Sequence, residues 1–128
     1  MNKKRLTNTF LEELKDYNFN KIKENKIYLV GSITKARDYF IKIESILQIN
    51  YTKLVSICSV DGLLNKDMFS PQEWDKLQQI ALKKLKDQEA ILVLDVDDYI
   101  GEQSREEIEY FKNQLKKPIY YLSNLKRP

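Results

Sequence analysis

The chain has 128 residues, which is the size of one ordinary domain with one hydrophobic core. Hydrophobic residues make up 42% and charged residues 32%, which excludes a disordered chain, and the formal net charge of +3 is too small to indicate nucleic-acid binding by itself. Histidine is absent, which excludes Ser-His and Cys-His catalysis and histidine-ligated zinc.

The single cysteine, Cys58, allows no internal disulfide and favours a reducing, cytoplasmic compartment. Its apolar neighbours in "LVSICSV" predict a core residue rather than a reactive thiol. No apolar run approaches the ~20 residues of a membrane span, and "MNKKRLTNTF" lacks the apolar segment of a signal peptide. We therefore expect a cytoplasmic protein without a membrane partner.

Residues 1–25 form a prefix with a pattern of their own. Phe10, Leu11, Leu14 and Tyr17 have the spacing of one apolar helix face. Two interpretations stay open at this point. The helix packs on the edge of the domain, or it binds a partner or a second copy of the chain.

Residues 26–128 alternate between strand and helix patterns. Short apolar runs predict buried strands at 26–32, 53–60, 90–96 and 117–123. Apolar residues at intervals of three or four predict helices over 34–48, 71–87 and 104–116. Strands that alternate with helices of this length specify βαβ units, so we predict one α/β domain with helices on both faces of a mostly parallel sheet of four to five strands.

The three glycines, Gly31, Gly62 and Gly101, each follow a predicted strand or lie in the loop after it. In an open α/β sheet, ligands bind at the carboxyl ends of the strands. The glycines therefore indicate a binding site at one edge of the sheet. The turn "GSITK" (31–35) at this edge is able to hold an anion at a helix N-terminus, although it lacks a Walker or dinucleotide glycine pattern.

Two stretches fit the capping box of a helix start. "SPQEW" (70–74) has Ser70 as N-cap, Pro71 at the first helical position and Glu73 at the third, and needs no functional explanation. "SREE" (104–107) fits the same template, with Ser104 as N-cap and Glu107 reaching back.

The second stretch has an alternative interpretation, because it lies in the most acidic part of the chain. Residues 95–109 hold seven carboxylates against one arginine. Like charges crowded at one edge raise at least one carboxyl pKa, which is typical of active sites. An EF-hand is rejected, because Tyr99 and Ile100 stand where a calcium loop needs a ligand and a glycine. No metal site is predicted.

Two segments together resemble the nucleoside 2-deoxyribosyltransferase-like superfamily, in particular its small bacterial and phage members. These segments are "KIYLVGSITKARDYF" (26–40) and "VDDYIGEQSREEIEYFKNQLKKPIYYL" (96–122). The family carries a "GST-R" turn after its first strand and a late segment like "GGYIGEST--EIEYA---GKP--YL". The resemblance covers about 26–123, and the second motif is the more specific one.

The resemblance implies a Rossmann-like (flavodoxin-like) three-layer α/β/α fold with its pocket at the strand ends, often completed by a neighbouring subunit. In the family's enzymes, a glutamate of the late helix attacks the anomeric carbon of a 2-deoxynucleoside and displaces the base. That glutamate falls on Glu107, followed by "IEY". Ser104 takes the place of the family's Ser/Thr at the helix start, where it would hold a ribose oxygen or a phosphate.

Three departures from the family pattern concern the predicted site. Lys35 stands where the family turn has arginine, and Asp97 and Asp98 replace two glycines. The acidic residue in the helix before the late strand falls on Lys86, so a shift of one residue is needed for Asp87 to take its role.

We therefore predict N-glycosidic bond chemistry on a nucleoside or nucleotide, either 2-deoxyribosyl transfer or hydrolysis, without a cofactor. The predicted catalytic residues are Glu107 as nucleophile, with Asp98 and Asp87. The predicted substrate-binding residues are Tyr28, Gly31, Ser32, Lys35, Asp97, Gly101 and Ser104. We expect a homo-oligomer such as a homodimer and no nucleic-acid polymer as partner. The alternatives are a non-catalytic nucleotide-binding module of the same fold and a structural dimer module.

Overall fold

In a computed structural model, which describes residues 3–127, four parallel strands form one sheet. They are β1 (Lys26–Gly31), β2 (Leu54–Ser56), β3 (Ala90–Leu94) and β4 (Ile119–Tyr121). The order across the sheet is β2-β1-β3-β4, and Tyr28 of β1 lies opposite Ser56 of β2 and Ile91 of β3. All four predicted strands are confirmed, with shorter bounds than the apolar runs.

Helices cover both faces of the sheet. The long helix α2 (Ile33–Ile49) packs on one face with the odd-numbered side chains of β1, and α4 (Pro71–Leu85) packs on the other with the even-numbered ones. This division follows from the alternation of side chains along a strand. The protein is thus a three-layer α/β/α fold of the flavodoxin-like or Rossmann-like kind, as predicted from the sequence.

The helix starts on these two faces have ordinary caps. Ser32 caps α2 by accepting from the Lys35 backbone N–H at 3.3 Å. Ser70 and Glu73 form the predicted capping box at the start of α4, with Pro71 at its first position. A short helix, α3 (Val60–Asn65), joins β2 to α4.

The late part of the chain forms α5 (Glu102–Tyr110), a π-helical continuation (Phe111–Leu115), β4 and a final short helix, α6 (Leu122–Leu125). No side chain within α6 caps its start. Instead the Asp95 carboxylate, just after β3, accepts from the backbone N–H of Ser123 at 3.0 Å and from its hydroxyl at 2.6 Å. This carboxylate therefore fixes the chain end to the sheet.

The N-terminal segment packs on the protein's own core. The short helix α1 (Asn8–Glu12) is capped by Thr7 and ends well before Tyr17, so the predicted apolar face is shared between a helix and the turns that follow it. Phe10 and Leu14 are buried in the cluster that α2 forms with the sheet, and the Asn18 N–H donates to Leu125 O at 2.7 Å. These contacts agree with a packed helix, and binding of a partner or of a second copy by this segment stays a prediction.

After β1 the chain runs to β2 on one side of the sheet, and after β3 it runs to β4 on the other side, so the carboxyl ends of the neighbouring strands β1 and β3 flank a switch point. Gly31 ends β1 there. A Cβ at Gly31 would lie 3.1 Å from Leu94 Cβ and 3.2 Å from Leu94 O, so glycine permits the close approach of the two strands.

Among residues 3–127, no helix combines the length and the apolar character needed to cross a bilayer.

Candidate functional site

A cleft of about 320 Å³ opens at this switch point. It is bounded by the turn after β1, the loop after β2, the first half of α4 and the start of α5. Five of the predicted site residues line it. They are Gly31, Ser32, Gly101, Ser104 and Glu107. The structure therefore has a cleft at the carboxyl ends of the strands, where the sequence predicts a pocket.

Helix α5 begins two residues earlier than predicted. Gly101 is its N-cap, with an extended backbone (φ −69°, ψ 163°), and Ser104 lies within the first turn, 4% exposed. The predicted capping box of Ser104 and Glu107 is therefore wrong. A negative residue in the first turn, Glu102, suits the positive end of the helix dipole and favours the earlier start. No side chain caps α5, so its first N–H groups point at the cleft edge without a side-chain acceptor.

Glu107 lies one turn further along the same helix face as Ser104 and is 6% exposed. Its Oε2 is buried and finds no hydrogen-bond partner among the described residues, while the side chain still lines the cleft. Burial raises the pKa of Glu107 from its ordinary 4.5 to about 8, and the neighbouring Glu106 adds to the rise. At neutral pH the carboxyl group of Glu107 is therefore mostly protonated and neutral.

Tyr28, predicted as a weaker pocket residue, lies fully buried on β1 beneath this carboxyl group. The two groups are near enough to influence each other's titration. The Tyr28 hydroxyl lowers the pKa of Glu107, and burial, followed by the Glu107 charge, raises the pKa of Tyr28. Nevertheless the Tyr28 hydroxyl and Glu107 Oε2 do not have hydrogen-bond geometry, since each is without a partner in the described chain. A hydrogen bond donated by the Tyr28 hydroxyl would stabilise the ionised form of Glu107, which is the direction in which Tyr28 shifts the pKa of Glu107.

Cys58 is half-buried in the loop after β2 and lines the cleft, so it is not the wholly enclosed core residue predicted from its neighbours. The Lys84 ammonium group fixes this loop by donating to Ile57 O at 3.3 Å and Cys58 O at 3.0 Å. Burial and the nearby Glu107 raise the pKa of the Cys58 thiol to about 11. The thiol therefore stays protonated, which agrees with the predicted absence of a reactive cysteine.

Three further predicted residues lie near the cleft without lining it. Lys35 is exposed on the first turn of α2, and its backbone N–H is used by the Ser32 cap. Asp97 and Asp98 are exposed in a 3-10 turn, with left-handed φ angles of 55° and 60°. Within the described chain, none of these three side chains belongs to the cleft wall.

Asp87 and Lys86 lie far from the cleft along the strand direction. They are exposed in the turn between α4 and the amino end of β3, whereas the cleft is at the carboxyl ends. Shifting the alignment by one residue does not change this, because both positions belong to the same turn. The geometry thus offers Asp87 no contact with Glu107, and the predicted catalytic role of Asp87 has no structural support.

The sequence did not predict one wall of the cleft. Trp74, Leu77 and Gln78 on α4 form it, together with Lys66 beyond α3, and Glu102 adds a second carboxyl group at the opposite edge. Among the described residues that line the cleft, Lys66 is the one cation. Trp74 fits a helical apolar stripe, and such a stripe alone does not distinguish a core residue from a cleft wall.

Comparison of the chain with models of known protein families, with curated proteins and with solved structures gives no match.

Proposed function

We propose that the protein cleaves the N-glycosidic bond of a nucleoside or nucleotide, with Glu107 as the nucleophile. One observation carries this proposal. A carboxyl group that is 6% exposed, with one oxygen lacking a partner among residues 3–127, lines a cleft at the strand ends of the sheet. It is the glutamate that the sequence resemblance to the nucleoside 2-deoxyribosyltransferase-like superfamily marks. A buried polar atom without a partner is costly in a folded protein, and a ligand is one reason for it to persist.

In the proposed reaction, an ionised Glu107 oxygen attacks the anomeric carbon of the sugar. A C–O bond forms, the C–N bond breaks, and its electron pair leaves with the base, which takes up a proton. Water or a second base then attacks the same carbon and releases the Glu107 carboxylate. When water attacks, its hydroxyl stays on the sugar and its proton goes to solvent. Dividing the transfer into two displacements lowers each barrier.

The start of α5 suits the sugar or its phosphate. Its N–H groups have no side-chain cap, and the buried Ser104 hydroxyl lies beside them on the helix face that carries Glu107. The first turn of α2 reaches the same cleft through Ser32 and Thr34. Two helix N-termini at one cleft favour an oxygen-rich or anionic ligand group.

The backbone after β3 also fits the resemblance. Asp97 and Asp98 replace two glycines of the family segment, and both have left-handed φ angles. Glycine is the residue that adopts this region without strain, and aspartate is among those that tolerate it best. This agreement supports a loop of the family's shape.

A non-catalytic nucleotide-binding module is the second candidate, and two observations favour it. The carboxyl group of Glu107 is neutral at pH 7, and the turn that holds Asp87 lies at the other end of the sheet. The second carboxyl group that lines the cleft is that of Glu102 and not that of Asp87. The predicted homo-oligomer and the nucleoside or nucleotide partner stay predictions.

Base release measured by chromatography separates the two candidates. We expect the purified protein to release free base from at least one member of a panel of 2-deoxynucleosides and their 5′-monophosphates. Because the nucleophile must be ionised, kcat/KM should rise with pH through about 8 and level off above it. A flat profile between pH 6 and 9 would contradict Glu107 as the titrating nucleophile. If no base is released while ligands raise the melting temperature, the binding module is correct.

A further inference from the structure

We propose that Trp74 and Gln78 form a nucleobase subsite of the cleft and that this subsite takes a purine, with adenine as the preferred base. The inference rests on the proposed function for its place in a reaction, but the binding it describes does not require Glu107.

The Trp74 indole is held in place by its neighbours rather than free to turn. Gly62 of α3 lies against it, since a Cβ at Gly62 would meet Trp74 Cζ3 at 3.1 Å and Cη2 at 3.3 Å. The Phe69 ring lies 5.7 Å away, centroid to centroid, at an angle of 57°. The indole is nevertheless only half-buried and lines the cleft. A fixed, partly exposed aromatic ring is a stacking surface that costs little entropy when a base binds.

Gln78 lies one helical turn beyond Trp74, on the same face of α4. Its amide is half-buried, and Nε2 lies 3.5 Å from Gln103 O, at the outer limit of a hydrogen bond. A ligand can therefore replace this weak contact at little cost. An amide at this spacing reaches the edge of a ring that stacks on the indole.

The two walls of the cleft differ in chemistry, and this difference indicates which wall the base contacts. The α5 wall carries Glu107, Ser104 and the uncapped N–H groups, which suit a sugar and its reacting carbon. The α4 wall is an aromatic ring, an aliphatic side chain (Leu77) and a neutral amide. The Lys66 amine lies over the Trp74 ring, 5.8 Å from its centroid, and disfavours a cationic ligand at this wall. An uncharged planar group fits this wall.

A purine fits it better than a pyrimidine for two reasons. Stacking grows with the area of overlap, and a bicyclic base covers more of a bicyclic indole. The glutamine amide presents a donor beside an acceptor, which matches N7 and the exocyclic amino group of adenine in a bidentate pair. Guanine offers acceptors at both corresponding positions and leaves the amide oxygen unpaired.

The chain has a single tryptophan, so its fluorescence reports on this wall directly. We expect adenine to quench Trp74 emission and to bind about 10-fold more tightly than cytosine, whereas 2-deoxyribose 5-phosphate should leave the emission unchanged. Gln78→Leu should weaken adenine binding about 10-fold, the usual scale for a lost bidentate pair. The matched control is Gln79→Leu, which alters the exposed neighbour on the same helix and should bind as the wild type does.

Calorimetry with Trp74→Leu, checked for folding by its thermal unfolding, completes the test with an expected loss of about 10-fold in adenine affinity. The inference is overturned if adenine neither quenches nor binds, if cytosine binds as tightly, or if Gln78→Leu and Gln79→Leu behave alike.

A Glu107→Gln variant separates the nucleobase subsite from the proposed function. If this variant and the wild type bind adenine equally but the wild type never releases base, the reaction is wrong and the subsite stands. If base is released but the α4 variants leave its KM unchanged, the subsite is wrong and the reaction stands.

Discussion

Replacing Glu107 with glutamine should reduce base release by at least about 1,000-fold, because an amide oxygen is too weak a nucleophile for the first displacement. The substitution keeps the size and shape of a side chain that is 6% exposed, so the cleft and the fold should stay intact. The measurement is the initial rate of base release at pH 8.5, with the best substrate of the deoxynucleoside panel and with equal protein concentrations.

Glu106→Gln is the matched control for this experiment. Glu106 is the adjacent residue on α5, is exposed, and does not line the cleft. This variant should retain most of the wild-type rate. A Glu107→Gln protein with undiminished turnover would remove Glu107 as the nucleophile. Equal losses in both variants would indicate a general effect of charge on α5 instead.

The same carboxyl group should make the wild-type protein less stable as the pH rises. Folding raises the pKa of Glu107 from 4.5 to about 8, so between these values the folded state binds more protons than the unfolded state. The contribution of Glu107 to the free energy of unfolding is then constant below pH 4.5, falls between pH 4.5 and about 8, and is constant again above. At about 1.36 kcal/mol per pKa unit, the fall reaches roughly 4 to 5 kcal/mol at most.

Glu107→Gln removes this ionisation and leaves a neutral side chain of the same shape. We expect its stability to stay nearly level between pH 5 and 9, and to exceed that of the wild type at pH 9 by up to a few kcal/mol. Urea denaturation at a series of pH values, followed by circular dichroism, measures the two slopes. Glu106→Gln should keep most of the wild-type slope, because burial raises the pKa of Glu107 more than the Glu106 charge does. If Glu107→Gln and the wild type lose stability in parallel, the carboxyl group is not protonated in the native state at neutral pH.

Together these two results would describe a trade between stability and activity at one residue. The variant that cannot ionise at position 107 is the more stable one at alkaline pH and the inactive one. Residues that serve chemistry often reduce the stability of the fold that holds them. The buried and unpartnered Oε2 of Glu107 is where this cost arises.

The fold was predictable because the spacing of apolar residues alone distinguishes its main strands from its main helices. Continuous apolar runs marked the strands, and the spacing of residues such as Phe40 and Ile43 marked α2. The parallel order then placed the loops after β1 and β3 at one edge, where Gly31, Gly101 and Glu107 meet. Local patterns were sufficient for these conclusions because each of the first three strands is followed by a helix that leads the chain to the next parallel strand.

The start of α5 was not predictable from the capping template. Ser104 and Glu107 fit the template as well as Ser70 and Glu73 do, yet the second pair forms a capping box and the first does not. The difference is tertiary. Burial of Ile108 and Phe111 against the sheet fixes the position of this helix, and it outweighs a cap that is worth about 1 kcal/mol.

The α4 wall escaped prediction for a related reason. An apolar stripe contains both Trp74, which lines the cleft, and Leu85, which is fully buried, and their spacing is the same kind of helical spacing. Only the path of the neighbouring loop, fixed by Lys84 on the backbone of Ile57 and Cys58, decides which end of the stripe stays open. Contacts between residues distant in sequence are invisible to periodicity.

The most direct test of the central claim is to trap the sugar on the protein. Nucleosides with a 2-fluoro-2-deoxyarabinosyl group slow both displacements, because fluorine destabilises the positive charge that develops at the anomeric carbon. After incubation at pH 8.5, intact-mass measurement and peptide mapping should find one sugar ester, located on Glu107, and none in Glu107→Gln. A sugar on a different side chain, or a wild-type protein that releases no base from any nucleoside or nucleotide of the panel, would contradict the claim.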